Sequence, residues 1–171
     1  VPNIGYFLTR IMGNRVLLAD INFNKPQFQG IYSINADEGI NGDEFLPVAM
    51  DLIHKTERGP ELLPARFSDK KTSIILRDTG FKNFIDQNKN EYDAILIDAT
   101  SFDNMKEASS FTQICDGIII IIDEGKLQRK MFKNSLPRLK GDDIVIIGGI
   151  LNNRTFPIPD FIYKYFKYLL D

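Results

Sequence analysis

The sequence predicts an α/β domain in which a parallel β-sheet is covered by helices on both faces. Its strand-like segments are continuous runs of apolar, largely β-branched residues, which is typical of strands buried on both faces. Segments of helical periodicity lie between these runs, and this alternation is typical of a parallel sheet. The chain has 171 residues and no linker rich in proline, glycine and serine, so we expect a single domain over residues 1–171.

The predicted elements alternate along the chain. A first helix is expected at about residues 3–12. Strands are expected at residues 15–21, 94–98, 117–123 and 143–150, with a shorter one at 61–65. Further helices are expected at residues 45–55, 80–89, 105–114, 126–140 and 157–171. We interpret His54 as an ordinary helix-surface residue, and turn signals make residues 30–71 the least regular region.

Composition and charge exclude several kinds of function. The net charge of −2 at pH 7 provides no basic surface, so no nucleic-acid partner is expected. The single cysteine, Cys115, leaves no internal disulfide and suits a reducing cytosol. The single histidine, His54, argues against a His-based metal site or a Ser-His-Asp triad. The longest apolar run, residues 117–122, is too short for a membrane span, which needs roughly 20 residues.

Acids finish three of the predicted strands, namely Asp20, Asp98 and Asp123. In an open parallel sheet the carboxyl ends of the strands point to one edge, where ligands bind, so these carboxylates are expected to converge. Carboxylates and water are the ligands that Mg²⁺ prefers, and Mg²⁺ usually brings substrate phosphates with it. The alternative is that each acid only begins a solvated loop. The sequence contains no glycine-rich phosphate-binding loop that ends in Lys-Ser or Lys-Thr.

Four segments together carry a resemblance to one protein family. They are GNRVLLADINFNKP at residues 13–26, YDAILID at 92–98, CDGIIIII at 115–122 and GGILN at 148–152. In this order they resemble GKRVLLIDADLRRP, YDYVIID, ADGVLLVV and GVVLN, motifs of the bacterial tyrosine kinases of polysaccharide export. These kinases are a branch of the deviant P-loop ATPases that also contains MinD and ParA. The resemblance implies a P-loop NTPase fold of the MinD/ParA type, with Rossmann-type architecture.

The resemblance also implies roles for individual residues. Asp20 would act on Mg²⁺ and on the attacking hydroxyl, and Asp98 would hold Mg²⁺ through water, so both are candidate catalytic and metal-binding residues. Asn152 would contact the base, and Asn22, which stands where the family has a second acid, is a candidate cofactor-binding residue. The family ends in a phosphorylated tyrosine cluster, so the candidate phosphoacceptors are Tyr163, Tyr165 and Tyr168. The alternative for these tyrosines is packing and surface exposure in a terminal helix.

Three departures from the family pattern predict weak or absent catalysis. Asn22 replaces an acid, Ala99-Thr100-Ser101 replaces Thr-Pro-Pro, and the Walker A loop is absent. We therefore expect a degenerate or weakly active member that acts as a regulatory or scaffolding protein in exopolysaccharide or capsule assembly, with Mg-ATP as its cofactor if it is active and no cofactor otherwise. The alternative is an active tyrosine autokinase or ATPase that uses Mg-ATP and whose P-loop lies upstream of Val1.

The missing loop and its strand have a physical consequence for the sheet. An unfilled central position would leave unpaired backbone and an apolar slot, so we expect either residues upstream of Val1 or residues 73–76 to occupy it. The expected partners are a membrane-bound polysaccharide co-polymerase or activator protein and further copies of the chain in a homo-oligomer. The expected location is cytoplasmic and peripheral at the inner membrane.

Overall fold

The structure, a computed structural model, describes residues 1–23, 25–40, 51–57, 59–67, 79–99, 114–124 and 145–153. The chain divides into two compact units, Val1–Ile114 and Cys115–Asp171. The single domain expected from the sequence remains a prediction, and each unit is described by itself. None of the helices in these ranges has the length and apolar character needed to cross a bilayer.

The first unit contains a three-stranded parallel sheet. In chain order its elements are α1 (Pro2–Arg10), β1 (Val16–Asp20), α2 (Phe28–Tyr32), β2 (Glu61–Leu63), α3 (Thr79–Asn88) and β3 (Ala94–Asp98). The strand order is β2-β1-β3, with β1 paired in parallel to both neighbours. Every residue of β1 is buried, which explains why its sequence is apolar without alternation. The parallel sheet expected from the sequence is confirmed.

Helices α1 and α2 cover the same face of this sheet. The core on that face comprises Val16, Leu18, Phe28 and Leu62, against which pack Val1, Leu8, Tyr32, Ile34, Ala94 and Leu96. Burying each of the large apolar side chains contributes ~2 kcal/mol. Helix α1 comes close to β1 because Gly5 lies over Leu18, where a Cβ atom would stand 2.5 Å from Leu18 Cδ2. A side chain at position 5 would therefore push α1 away from the sheet.

The second unit contains a parallel pair of strands, β4 (Ile118–Asp123) and β5 (Ile146–Asn152). The register shifts by one residue between Ile118 and Ile119, so that Ile119 faces Gly148 and Asp123 faces Asn152. Both strands were expected from the sequence, although β5 begins at Ile146 and continues through Asn152. Asp123 and Asn152, the polar residues that end the two strands, are therefore register partners within this pair.

Two local expectations were wrong. Residues 51–55 were assigned to a helix, yet His54 forms an antiparallel bridge with Leu62, with N···O distances of 2.7 and 2.9 Å. His54 is therefore not a helix-surface residue, and its Nε2 lies 3.6 Å from a carboxylate oxygen of Glu38. The edge of β2 offers backbone hydrogen bonds that outweigh local helical spacing. Helix α2 was also missed, because it has only five residues.

The other expected elements either match the structure or fall outside the described residues. Helices α1 and α3 start and end within two residues of the expected positions, and the short strand at 61–65 is observed as Glu61–Leu63. The helices expected at residues 126–140 and 157–171, and residues 73–76, fall outside the described residues. The same holds for residues 105–113 of another expected helix.

Candidate functional site: the carboxyl ends of β1 and β3

Asp20 and Asp98 lie side by side at the carboxyl edge of the first sheet. They are direct partners in the β1–β3 register, and the next residue, Ile21, donates its N–H to the carbonyl oxygen of Asp98 at 3.0 Å. Neighbouring strands are roughly 4.8 Å apart, which places the two carboxylates close together. The convergence of these two acids expected from the sequence is therefore observed.

The Asp20 carboxylate is fully buried and organises the loop that follows β1. Its Oδ1 accepts the N–H of Asn22 at 2.9 Å, and its Oδ2 accepts the N–H groups of Gln27 at 2.9 Å and Phe28 at 3.3 Å. Helix α2 starts here without a side-chain cap from Gln27. Asp20 satisfies N–H groups that a helix start leaves unpaired.

Both acids have raised pKa values, for different combinations of causes. Burial raises the pKa of Asp20 above its usual value of 3.8, although the three backbone N–H bonds act in the opposite direction. Burial, and then the charge of Asp20, raises the pKa of Asp98 to about 6. Two partly desolvated carboxylates that repel each other form a site that favours a cation or a proton.

The donor set of this pair fits Mg²⁺. The ion takes carboxylate oxygens and keeps several waters or phosphate oxygens, so one or two protein carboxylates suffice. Asp98 is half-buried, and no described residue donates a hydrogen bond to its carboxylate. Asp20 has two bonds at Oδ2 and one at Oδ1, which leaves one lone pair at Oδ1. Within the described ranges, no group of three or more His, Cys, Asp or Glu residues is placed to hold a metal.

Asn22 lies beside this pair in the loop. Its backbone carbonyl accepts the N–H of Lys25 at 3.0 Å, which closes a turn before Pro26. Its side chain makes no hydrogen bond to the residues that the structure describes and is partly exposed. Asn22 is therefore positioned next to Asp20 by the backbone, and its role in cofactor binding stays a prediction.

The second unit presents a similar strand end with different chemistry. Asp123 faces Asn152 in the β4–β5 register, and Asp123 Oδ1 accepts Nδ2 of Asn152 at 2.9 Å and Nδ2 of Asn153 at 3.1 Å. Glu124 donates its N–H to the carbonyl oxygen of Asn152 at 3.0 Å. Asn152, expected to contact a base, is thus held by an acid that sequence reasoning had grouped with Asp20 and Asp98.

Sequence reasoning missed two features of these strand ends. The three N–H donors of Asp20 carry no side-chain signal, so nothing in the sequence points to them. Asn153 has a positive φ of 53°, a conformation in which asparagine is enriched, and the pair Asn152-Asn153 was the available clue. The candidate phosphoacceptors Tyr163, Tyr165 and Tyr168 lie outside the described residues.

No protein-family model matches the chain. Among curated proteins, it is similar to the succinoglycan biosynthesis transport protein ExoP of Rhizobium meliloti (strain 1021), with 21% identity over 147 residues that cover 82% of this chain. The chain spans 18% of the length of ExoP, so the likeness concerns a limited part of that protein.

Solved structures share the fold. The kinase domain of VpsO matches with a TM-score of 0.75 and 18% identity, covering 86% of this chain and 74% of that chain. The kinase domain of the Escherichia coli tyrosine kinase ETK matches with a TM-score of 0.73 and 13% identity, covering 91% and 65%. MinD of Pyrococcus horikoshii OT3, complexed with Mg-ADP, matches with a TM-score of 0.68 and 21% identity, covering 96% and 69%. The predicted α/β fold of Rossmann type is confirmed, and the solved structures that share it include tyrosine kinase domains and MinD.

Proposed function

We propose that this chain is a degenerate or weakly active nucleotide-site domain that acts in exopolysaccharide or capsule assembly as a regulatory or scaffolding protein. The observation that carries the proposal is the Asp20–Asp98 pair at the strand ends of a kinase-like fold. The likeness to a succinoglycan transport protein supports the biological setting. A membrane-bound polysaccharide co-polymerase or activator protein is the proposed partner, together with further copies of the chain, at the cytoplasmic side of the inner membrane.

The two acids would hold Mg-nucleotide in unequal ways. Asp98 is half-buried and repelled by Asp20, so a divalent cation would relieve an unfavourable arrangement there. The Asp20 carboxylate already accepts three backbone N–H groups of the loop, so it would offer Mg²⁺ only its remaining lone pair. Bound at this edge, Mg²⁺ would neutralise charge on the phosphate oxygens. The neutral amide of Asn22, in place of an acid, leaves the site with less negative charge, which supports weak rather than efficient catalysis.

Calorimetry on the native full-length protein tests the proposal. Mg-ATP and Mg-ADP are titrated into the wild type and into Asp98→Asn, which keeps the shape of the side chain and removes its charge. Asp86→Asn is the matched control, because Asp86 is an exposed acid of α3 that pairs only with Lys89 among the described residues, at 3.0 Å. Saturable binding that weakens about tenfold or more in Asp98→Asn alone would place the cation at the strand ends.

The remaining outcomes separate the readings of the site. Binding without measurable hydrolysis or autophosphorylation supports the degenerate reading, whereas turnover that Asp98→Asn abolishes would replace it with the active kinase or ATPase. Equal binding by Asp98→Asn and Asp86→Asn would remove Asp98 from the site. The absence of heat with either nucleotide would overturn the nucleotide site altogether.

A further inference from the structure

Helix α1 carries apolar side chains on both of its faces. Its inner face packs on the core of the first unit through Leu8. On its outer face Tyr6 is 54% exposed and Phe7 is 51% exposed, and the apolar surface continues to Ile11 and Met12, which follow the helix and are also exposed. A helix that is apolar on both faces is typical of a helix that is covered on both sides. The outer face of α1 is therefore a candidate interaction surface.

The exposed residues of α1 form a stripe that is symmetric in its chemistry. Asn3, Tyr6, Phe7 and Arg10 are all exposed, and spacings of three and four residues place them on one face of the helix. The two aromatic residues lie at the centre. Asn3 precedes Tyr6 by three positions, and Arg10 follows Phe7 by three positions, so one polar residue stands at each end. We call these four residues the α1 stripe.

We propose that the α1 stripe pairs with the α1 stripe of a second copy of this chain, in antiparallel orientation about a twofold axis. Such an interface uses the same surface patch on both copies and must be self-complementary. In this register Tyr6 of each copy lies opposite Phe7 of the other, and Asn3 of each copy lies opposite Arg10 of the other. The inference deepens the proposed partnership between copies of the chain, on which it rests, and does not use the nucleotide site.

The charge on the stripe favours this orientation. Arg10 is the only charged residue of α1, and no described residue forms an ion pair with it. In the antiparallel pair its guanidinium meets the side-chain oxygen of Asn3, which accepts hydrogen bonds. The two Arg10 residues are then seven positions apart along the pair, or about 10 Å, where salt screens their repulsion. A parallel pair would place the two cations side by side.

The composition of the surface favours a protein over a lipid bilayer. Aromatic residues, methionine and arginine are enriched at the centres of protein interfaces, whereas lysine and acids are depleted there. Tyr6, Phe7, Arg10 and Met12 follow this pattern, and α1 contains no lysine and no acid. A helix that lies on a membrane surface typically has several basic residues on its polar face, and α1 has one.

Analytical ultracentrifugation of the native full-length protein tests the pairing. An interface of two short helices lies at the low end of interface sizes, so we expect a dissociation constant of about 1–100 µM. Tyr6→Glu should raise this constant at least about tenfold, because each dimer buries the position twice. Ile31→Glu is the matched control: Ile31 of α2 is also 54% exposed but lies outside the stripe. Its dissociation constant should stay within about twofold of the wild-type value.

Two substitutions at position 3 test the antiparallel register. Asn3→Asp places a carboxylate opposite Arg10 of the other copy and should lower the dissociation constant about threefold at low salt, an effect that 1 M salt should remove. Asn3→Arg places two cations opposite each other and should raise the constant by a similar factor. In a parallel pair position 3 would face itself, so both substitutions would weaken the dimer.

Each contrary result overturns a defined part of the inference. Oligomers that persist equally in Tyr6→Glu and Ile31→Glu overturn the α1 interface and leave the partnership between copies standing. Weakening by both Asn3→Asp and Asn3→Arg overturns the antiparallel register. A monomeric wild type overturns the pairing itself, and its co-sedimentation with phosphatidylglycerol vesicles, if lost in Tyr6→Glu, would assign the stripe to a lipid surface instead. Calorimetry with Mg-ATP on the same samples tests the proposed nucleotide site separately.

Discussion

The two parallel strand pairs end in the same backbone geometry and in opposite chemistry. In β1–β3, Asp20 faces Asp98, and the next residue donates its N–H to the Asp98 carbonyl at 3.0 Å. In β4–β5, Asp123 faces Asn152, and the next residue donates to the Asn152 carbonyl at 3.0 Å. The first pair places two acids opposite each other. The second places an acid opposite an amide whose NH₂ group donates a hydrogen bond to it.

This difference shows which of the strand-end acids are explained by the hydrogen bonds that they accept within the fold. Asp123 is bonded across its own strand pair, and Asp20 is bonded to the loop that follows it. Asp98 alone of the three lacks a hydrogen-bond donor to its carboxylate among the described residues, and its pKa is raised to about 6 by burial and by Asp20. Asp98 therefore lowers the stability of the fold, and it lies at the edge where ligands bind. A role in ligand binding explains its presence best.

Removing Asp20 should have the largest effect on stability. Asp20→Ala leaves the N–H groups of Asn22, Gln27 and Phe28 without their acceptor. Each unsatisfied buried donor costs about 1–3 kcal/mol, and relief of the repulsion with Asp98 offsets part of the loss, so we expect a net decrease of about 3 kcal/mol in the free energy of unfolding. Urea denaturation followed by circular dichroism measures this change.

The matched variant Asp20→Asn keeps one acceptor oxygen and turns an NH₂ group toward backbone donors. We expect a smaller decrease of about 1–2 kcal/mol for it. A loss of less than about 0.5 kcal/mol in Asp20→Ala would show that the three N–H bonds contribute little and that water replaces the carboxylate readily.

Neutralising Asp98 should have the opposite sign. The folded pKa of Asp98, about 6, lies above its usual value of 3.8, so the folded state binds more protons between these pH values. The free energy of unfolding of the wild type therefore falls as the pH rises from about 4 to about 6 and stays lower above that range. Asp98→Asn cannot ionise and should lack this fall.

The expected gain at pH 7 follows from the size of the shift. A pKa unit corresponds to about 1.4 kcal/mol, and partial solvent screening of the half-buried carboxylate reduces the effect, so we expect Asp98→Asn to be more stable by about 1 kcal/mol. At pH 3 the two proteins should be equal in stability. Urea titrations at several pH values check this, with Asp86→Asn as the exposed control. Equal pH profiles for the wild type and Asp98→Asn would contradict the raised pKa of Asp98, which burial and then the charge of Asp20 cause.

The sequence predicted β1 and β3 closely because continuous apolar runs have few other interpretations. The adjacency of Asp20 and Asp98 followed from the same reasoning, since parallel strands end at one edge. The bond from Asn152 to Asp123 had no such basis, because it depends on the β4–β5 register and on a one-residue shift near its start. Patterns of residue type predict strands, whereas register must be observed.

Features that depend on backbone N–H donors could not be predicted from the sequence, for a related reason. Helix α2 begins where Asp20 accepts N–H groups seven and eight residues further along the chain. The bridge between His54 and Leu62 likewise uses main-chain atoms only. All residues except proline carry the same N–H group, so no residue type marks these partners. The departures from local expectation therefore occur where one element completes the hydrogen bonds of another.

Converting the second strand end into a copy of the first should have the smallest effect. Asn152→Asp places a second carboxylate opposite Asp123, as Asp98 stands opposite Asp20, and removes the 2.9 Å amide bond. Like charges at directly opposed positions destabilise a strand pair by roughly 0.2–1 kcal/mol, and Asn152 is exposed, so we expect a decrease of about 0.5 kcal/mol at pH 7 and low salt. The loss should shrink at 1 M salt, where screening is strong. Asn90→Asp is the control, since it adds the same charge at an exposed residue outside the β4–β5 pair. If Asn152→Asp instead lost stability on the scale of Asp20→Ala, and salt did not restore it, the β4–β5 end would be a buried site and the contrast between the two strand ends would fail.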